Sequence, residues 1–165
     1  MHIVLYQPEI APNTGSIMRL CANAGACLHL IAPLGFSLED RRLRRAGLDY
    51  REWVTVATHA SLAAYWAVTQ SPRTLALSTR ARRCYAEITY REDDTLLFGA
   101  ETRGLPLSVL AALPAEQCVR IPMRPHSRSV NLANAVAIVL FEAWRQRNFD
   151  GAATPFASDV PEEIL

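Results

Sequence analysis

Apolar and polar positions along this chain follow two rhythms, and the switches between them predict the elements. Short, nearly continuous apolar runs at His2 to Tyr6, Cys27 to Ile31, Thr74 to Ser78, Thr95 to Phe98 and Gln117 to Ile121 read as buried strands. Between them the apolar residues recur every three or four positions. Asn13 or Thr14 is expected to cap a helix that runs to about Ala24 and stops at Gly25, with Ile17, Leu20, Cys21 and Ala24 turned inward. Further helices are expected at Leu38 to Ala46, a very basic one ending at Gly47, at Ser61 to Thr69 with Leu62, Tyr65 and Trp66 on the packing side, and at Pro106 to Leu113. A short strand is expected within Leu48 to Thr55, and an extended piece at Ile88 to Tyr90. The longest helical stripe is Leu132, Val136, Val139, Leu140 and Ala143, behind Ser129 as the expected N-cap.

Strands that alternate with helices make the class α/β, with a mostly parallel sheet and helices on both faces. There is no internal repeat and no linker that would split the chain. A single domain over residues 1–150 is expected, and the weakly periodic tail 151–165 is expected to be poorly ordered. The full 165 residues are enough for one sizeable core.

Composition narrows the function classes. Half the residues are hydrophobic and 20% are charged, as in a globular domain. No apolar run is long enough to cross a membrane, and MHIVLYQPEI reads as a first strand rather than a secretory signal, so no membrane partner is expected and the expected compartment is the cytoplasm. The four cysteines form no C-x-x-C pair, and no histidines have zinc-like spacing, so no metal site is expected. His2, His29 and His59 have no acidic neighbour in sequence, and His126 has no nucleophile context. A net charge of +1 excludes a globally basic surface, yet all 17 basic residues are arginine, and they cluster at Arg41, Arg42, Arg44 and Arg45 and again at Arg80, Arg82 and Arg83. Guanidinium groups suit phosphate contacts, whereas solvated charge runs are the plain alternative.

Candidate chemistry collects in three loops. They follow the strands ending near Ser78, Phe98 and Ile121, and a parallel sheet delivers all three to one edge. In LLFGAETRGLP, Gly99 and Gly104 permit backbone shapes that a side chain forbids, and Glu101 and Arg103 lie between them. Such a loop could wrap a small planar ligand with backbone groups, or it could be a tight turn with a local Glu–Arg pair. The fingerprints G-x-G-x-x-G and G-x-x-x-x-G-K-[ST] are absent, which disfavours an ordinary Rossmann nucleotide site.

Three blocks together carry a resemblance. NTGSIMR (Asn13 to Arg19), LLFGAETRGLP (Leu96 to Pro106) and IPMRPHSRSVNLANAVAIVLFEAWRQ (Ile121 to Gln146) resemble, in order and spacing, the three motifs of the SPOUT RNA methyltransferases. The short length, the opening IVLYQPEIAPNTG and the segment RRLRRAGLDY resemble the minimal members, which methylate the ribose of the tRNA wobble nucleotide, position 34, on cytidine or a modified uridine. The resemblance implies a C-terminal trefoil knot, bound S-adenosyl-L-methionine, tRNA recognised at the anticodon stem-loop, and a homodimer in which the last helix packs on the partner's first. Carried over by position, the cofactor pocket falls on Leu77, Gly99, Gly104, Ile121, Ser129 and Leu132, and the essential arginine on Arg19, with Asn13 beside it in the same motif. Beside that resemblance the arginine clusters read as an RNA face, with Asn13, Arg41, Arg42 and Arg45 as the expected RNA contacts. Where some relatives have a tyrosine in the last helix, this chain has Phe141. A guanidinium keeps its proton in proteins, so Arg19 is better suited to gripping a phosphate and stabilising a developing oxyanion than to acting as a base. A SPOUT enzyme acting on another tRNA or rRNA site, or a non-catalytic RNA-binding domain of this fold, are the alternatives. Intact Asn13, Arg19, Glu101, Ser129 and Asn131 speak against the second.

Overall fold

The computed structural model describes residues 1–38, 54–69 and 73–153. In chain order the described elements are β1 (His2–Tyr6), α1 (Ala11–Ala24), β2 (Cys27–Ile31), β3 (Val56–His59), α2 (Leu62–Thr69), β4 (Thr74–Leu77), β5 (Arg83–Cys84), β6 (Thr95–Phe98), α3 (Leu107–Ala111), β7 (Cys118–Arg120) and α4 (Leu132–Gln146). The strands form one seven-stranded sheet in the order β3-β2-β1-β6-β4-β7-β5. Every pairing in it is parallel.

The sheet is buried on both faces, and for this reason its strands read as continuous apolar runs rather than alternating ones. Ile3 and Leu5, Leu28 and Leu30, Leu75, and Leu96 and Phe98 point to one face, where they pack with Ile17, Met18 and Cys21 of α1 and Val136, Val139 and Leu140 of α4. Val4, Ile31, Ala76 and Leu97 point the other way, towards Leu62 and Tyr65 of α2 and Leu105 just before α3. The period of two thus splits neighbouring residues between two cores. Each fully buried leucine or isoleucine contributes about 1.5–3 kcal/mol to holding the layers together.

Several boundaries differ from the sequence expectation for local reasons. α1 begins at Ala11, ahead of Asn13 and Thr14. Ile10 holds the N-cap position without a side-chain bond, and Pro12 lies in the first turn. The stop at Gly25 stands, with φ at +64. Along α1, Leu20 and Ala24 are only partly buried, while Met18 joins the core. Ser129 does not cap the last helix. Asn131 does, its Oδ1 accepting from the N–H of Ala133 at 2.9 Å and of Asn134 at 3.4 Å. Of the segment Leu48 to Thr55, expected to hold a short strand, residues 48–53 lie outside the described residues, and the third described strand is Val56–His59. It is an edge strand with a half-exposed, weakly apolar pattern, which explains why its run was not visible. At the expected extended piece, Ile88 to Tyr90, Ile88 has extended backbone but no ladder forms, and Arg83–Cys84 supplies the edge strand there. The expected basic helix Leu38 to Ala46, with Arg41, Arg42 and Arg45, lies outside the described residues from residue 39 onward, as does the tail from residue 154.

Three histidines without sequence neighbours meet on the second face. His2 Nδ1 and His29 Nε2 are 2.9 Å apart, and His29 Nδ1 and His59 Nε2 are 3.0 Å apart. Tyr65 lies edge-on to His29 and His59, and its hydroxyl is 2.6 Å from Thr95 Oγ1. Burial, and then the proximity of His2 and His59, push His29 down to about 4.

Candidate active site

The strands β4, β6 and β7 end side by side, and the loops that leave them enclose a cavity of about 500 Å³. That volume lies within the range of small-molecule and cofactor sites. Its wall includes Leu77, Gly99, Gly104, Ile121, Ser129 and Leu132, so all six expected cofactor residues border one space. Phe98, Leu105 and Ala135 add apolar surface, and Asn13 enters from α1.

The glycines shape this wall. A Cβ on Gly99 would stand 2.1 Å from the Gly104 carbonyl carbon and 2.2 Å from the Leu105 nitrogen, so a side chain there cannot coexist with the closed turn. Gly104 has φ of +66, a conformation that L side chains rarely adopt. The turn closes by the bond from Gly104 N to Ala100 O at 2.8 Å. Backbone from both ends of it is therefore exposed to the cavity.

A chain of polar bonds ties the loops to α1. Asn131 Nδ2 donates to Asn13 Oδ1 at 3.0 Å, and Asn13 Nδ2 donates to Glu101 Oε1 at 3.0 Å. Glu101 also accepts from the backbone N–H of Glu9 at 2.7 Å and of Ile10 at 3.2 Å. A carboxylate from a distant loop thus stands at the N-terminus of a helix that lacks a cap of its own, where the helix dipole favours negative charge. The local Glu101–Arg103 pair, one of the two readings of this loop, does not form. Arg103 instead faces Glu9, at 3.4 Å. Asn13, expected as an RNA contact, spends its amide on these two bonds while bordering the cavity.

The mouth is basic. Arg80, Arg103 and Arg128 all border the cavity. Among the described residues no ion pair joins Arg80 or Arg128 to a carboxylate. Arg19 stands apart. It is exposed on α1, six residues beyond Asn13 and about 9 Å farther along the axis, and it is not part of the cavity wall of its own chain. Phe141 and Trp144 share one side of α4; their rings meet edge-on at 5.5 Å, as residues three apart on a helix do. Glu9 and Thr102 were not singled out by the sequence. Both sit inside the resembling blocks or beside them, but their meeting spans 93 positions and leaves no local signal.

Among the described residues, no helix is long and apolar enough to cross a membrane and no group of three acidic, histidine or cysteine side chains could hold a metal ion. An all-parallel sheet with glycine-shaped loops around a cavity at its carboxyl edge defines an α/β ligand-binding fold of the kind used by nucleotide-derived cofactors. Residues 1–141 match the model of the SpoU rRNA Methylase family, and the chain belongs to that family. It is 54% identical over 152 residues to the tRNA (cytidine(34)-2'-O)-methyltransferase of Escherichia coli strain K12, covering 92% of this chain and 97% of that one. A solved structure described as giving insights into the 2-OH methylation of C/U34 on tRNA superposes with a TM-score of 0.84 at 46% identity, covering 90% of this chain and 96% of that one. An AdoMet-bound rRNA methyltransferase from Sinorhizobium meliloti is 26% identical with a TM-score of 0.71, covering 87% of this chain and 55% of that one.

Proposed function

We propose that this chain is an S-adenosyl-L-methionine-dependent tRNA ribose 2'-O-methyltransferase acting on nucleotide 34. The observation that carries the reading is the convergence of three distant loops on one cavity, in a chain more than half identical to an enzyme of that name. The cavity suits the cofactor. Leu77, Phe98, Ile121 and Leu132 offer apolar surface to a purine, and the backbone of the turn from Gly99 to Gly104 offers donors and acceptors to its edge. Leu77, Gly99, Gly104, Ile121, Ser129 and Leu132 would hold it.

The cofactor supplies a methyl group already activated on a sulfonium, so the reaction needs no metal. The protein must align a ribose 2'-hydroxyl with that methyl and manage the hydroxyl proton. Alignment of this kind lowers barriers by roughly 7–11 kcal/mol in favourable cases. Arg19 grips the phosphate beside the reacting ribose and stabilises the oxygen as charge develops, and the proton leaves to phosphate or water. Because Arg19 stands outside the cavity of its own chain, a second copy must bring it there. This supports a homodimer built on α1 and α4, which pack together within the chain and leave Ile10 and Phe141 exposed at 44% and 38%. A trefoil knot in the last third is supported by β7, which inserts between β4 and β5, and by α4, which returns to α1. Arg41, Arg42 and Arg45 would hold the anticodon stem-loop, and a tRNA substrate places the enzyme in the cytoplasm.

Transfer of labelled methyl to bulk tRNA from a strain lacking the protein, followed by mapping of the modified nucleotide, tests this. Label at the 2'-oxygen of nucleotide 34 is expected, and its loss by at least a hundredfold in Arg19→Ala. Label at another tRNA or rRNA position would shift the assignment within the family. No label at all would leave a binding domain.

A further inference from the structure

The turn that forms one wall of the cavity is not held at its tip by its own bonds. Ala100 and Gly104 pair across its base, but Thr102 and Arg103 project into solvent. Another part of the chain reaches them. The Glu9 carboxylate accepts from Thr102 N at 3.0 Å and from Thr102 Oγ1 at 2.7 and 2.9 Å, and lies 3.4 Å from Arg103 Nη2. The exchange is mutual, because Glu101 Oε2 accepts from Glu9 N at 2.7 Å. Each segment thus satisfies a backbone N–H of the other, a capping-box logic applied between segments remote in sequence.

Glu9 is also braced from behind. Gly35 N donates to Pro8 O at 2.9 Å, and a Cβ on Gly35 would stand 2.7 Å from Glu9 Cα. The loop after β2 therefore presses directly on the Glu9 backbone. Glu9 is not part of the cavity wall, so its influence runs through the turn.

We propose that Glu9 is a positioning residue for methyl transfer: by tethering Thr102 and Arg103 it keeps the turn from Gly99 to Gly104 in the shape that receives the cofactor. The proposal rests on the reading of this cavity as an S-adenosyl-L-methionine site. Without the tether, Thr102 and Arg103 exchange their bonds for water and the turn populates other shapes. Apparent affinity then falls in proportion to the fraction of turns still competent.

The test is calorimetric binding of S-adenosyl-L-methionine to the full chain without RNA, with steady-state tRNA methylation beside it. Glu9→Ala is expected to raise the cofactor Kd and KM together by roughly tenfold, the scale of a lost charge-assisted hydrogen bond, while kcat at saturation stays within about twofold. Thr102→Val is expected to weaken binding in the same direction, Thr102→Ser to bind as the wild type does, and the Glu9→Ala/Thr102→Val pair to be less than additive. Rescue by serine separates a tether from general loosening of the fold. If Glu9→Ala does not fold, Thr102→Val against Thr102→Ser carries the comparison. An unchanged Kd in Glu9→Ala, a loss confined to kcat, or failure of Thr102→Ser to bind overturns the proposal while wild-type binding keeps the cavity reading. A wild-type protein that binds no S-adenosyl-L-methionine removes both.

Discussion

The two edges of this sheet are built on the same device, a carboxylate that gathers donors from separate segments, yet they serve opposite ends. At the amino edge Asp94 is fully buried. It takes Arg73 Nε at 2.7 Å and Nη2 at 2.5 Å, and accepts from Arg91 N at 2.8 Å, while Arg73 also donates to Thr89 O. Its backbone carbonyl accepts from His2 N, so β1 and β6 are fastened where they begin. At the carboxyl edge Glu9 and Glu101 also gather backbone and side-chain donors, but around an open cavity and partly in water. A buried, fully paired carboxylate closes an edge. Carboxylates at a wet rim hold loops in place while leaving room for a ligand.

The contrast can be broken at either edge. The largest effect on stability is expected from Asp94→Ala, which strands the Arg73 guanidinium. Removing one partner of such a pair costs about 3–5 kcal/mol, and Tm should fall by roughly 10 °C. Thermal unfolding checks this, and cofactor affinity below the transition should be untouched. Gly99→Ala should do the reverse. A Cβ 2.1 Å from the Gly104 carbonyl carbon forces the turn open, so cofactor binding should weaken by tenfold to a hundredfold, from overpacking of about 1–3 kcal/mol, with helical circular dichroism retained. A fall in Tm as large as that of Asp94→Ala would mean that the turn belongs to the core.

The histidine row gives the smallest effect and sharpens the comparison at the second face. His29 sits well below its ordinary value of 6.5, at about 4, so the unfolded chain binds the proton more readily. The stability this neutral histidine confers is fully present above about pH 6.5 and is lost as pH falls towards 4. Between pH 7 and pH 5 the Tm of the wild type should drop more than that of His29→Gln. Equal slopes would show that the row carries no proton-linked stability.

The strands that lie deep in the sheet, β1, β2, β4 and β6, were legible because each is a local run of residues buried on both faces. Gly25 was legible as a helix stop, and so were the three loops, since each begins where an apolar strand run ends, Gly99 immediately after Phe98. Burial and φ preference are properties of a few neighbouring residues, and the chain states them locally. Tertiary structure decided the rest. The edge strand at Val56–His59 exists because β2 is beside it, not because its own residues demand it. The choice of Asn131 over Ser129 as cap was settled where the chain turns into α4, with Asn13 of another helix taking the Asn131 amide. The row of His2, His29 and His59 and the bond between Glu9 and Thr102 join segments that only the folded chain makes neighbours. A hydrogen bond has no preference for sequence distance, so partners separated by dozens of residues leave no rhythm in the chain and become visible when the sheet order places them side by side.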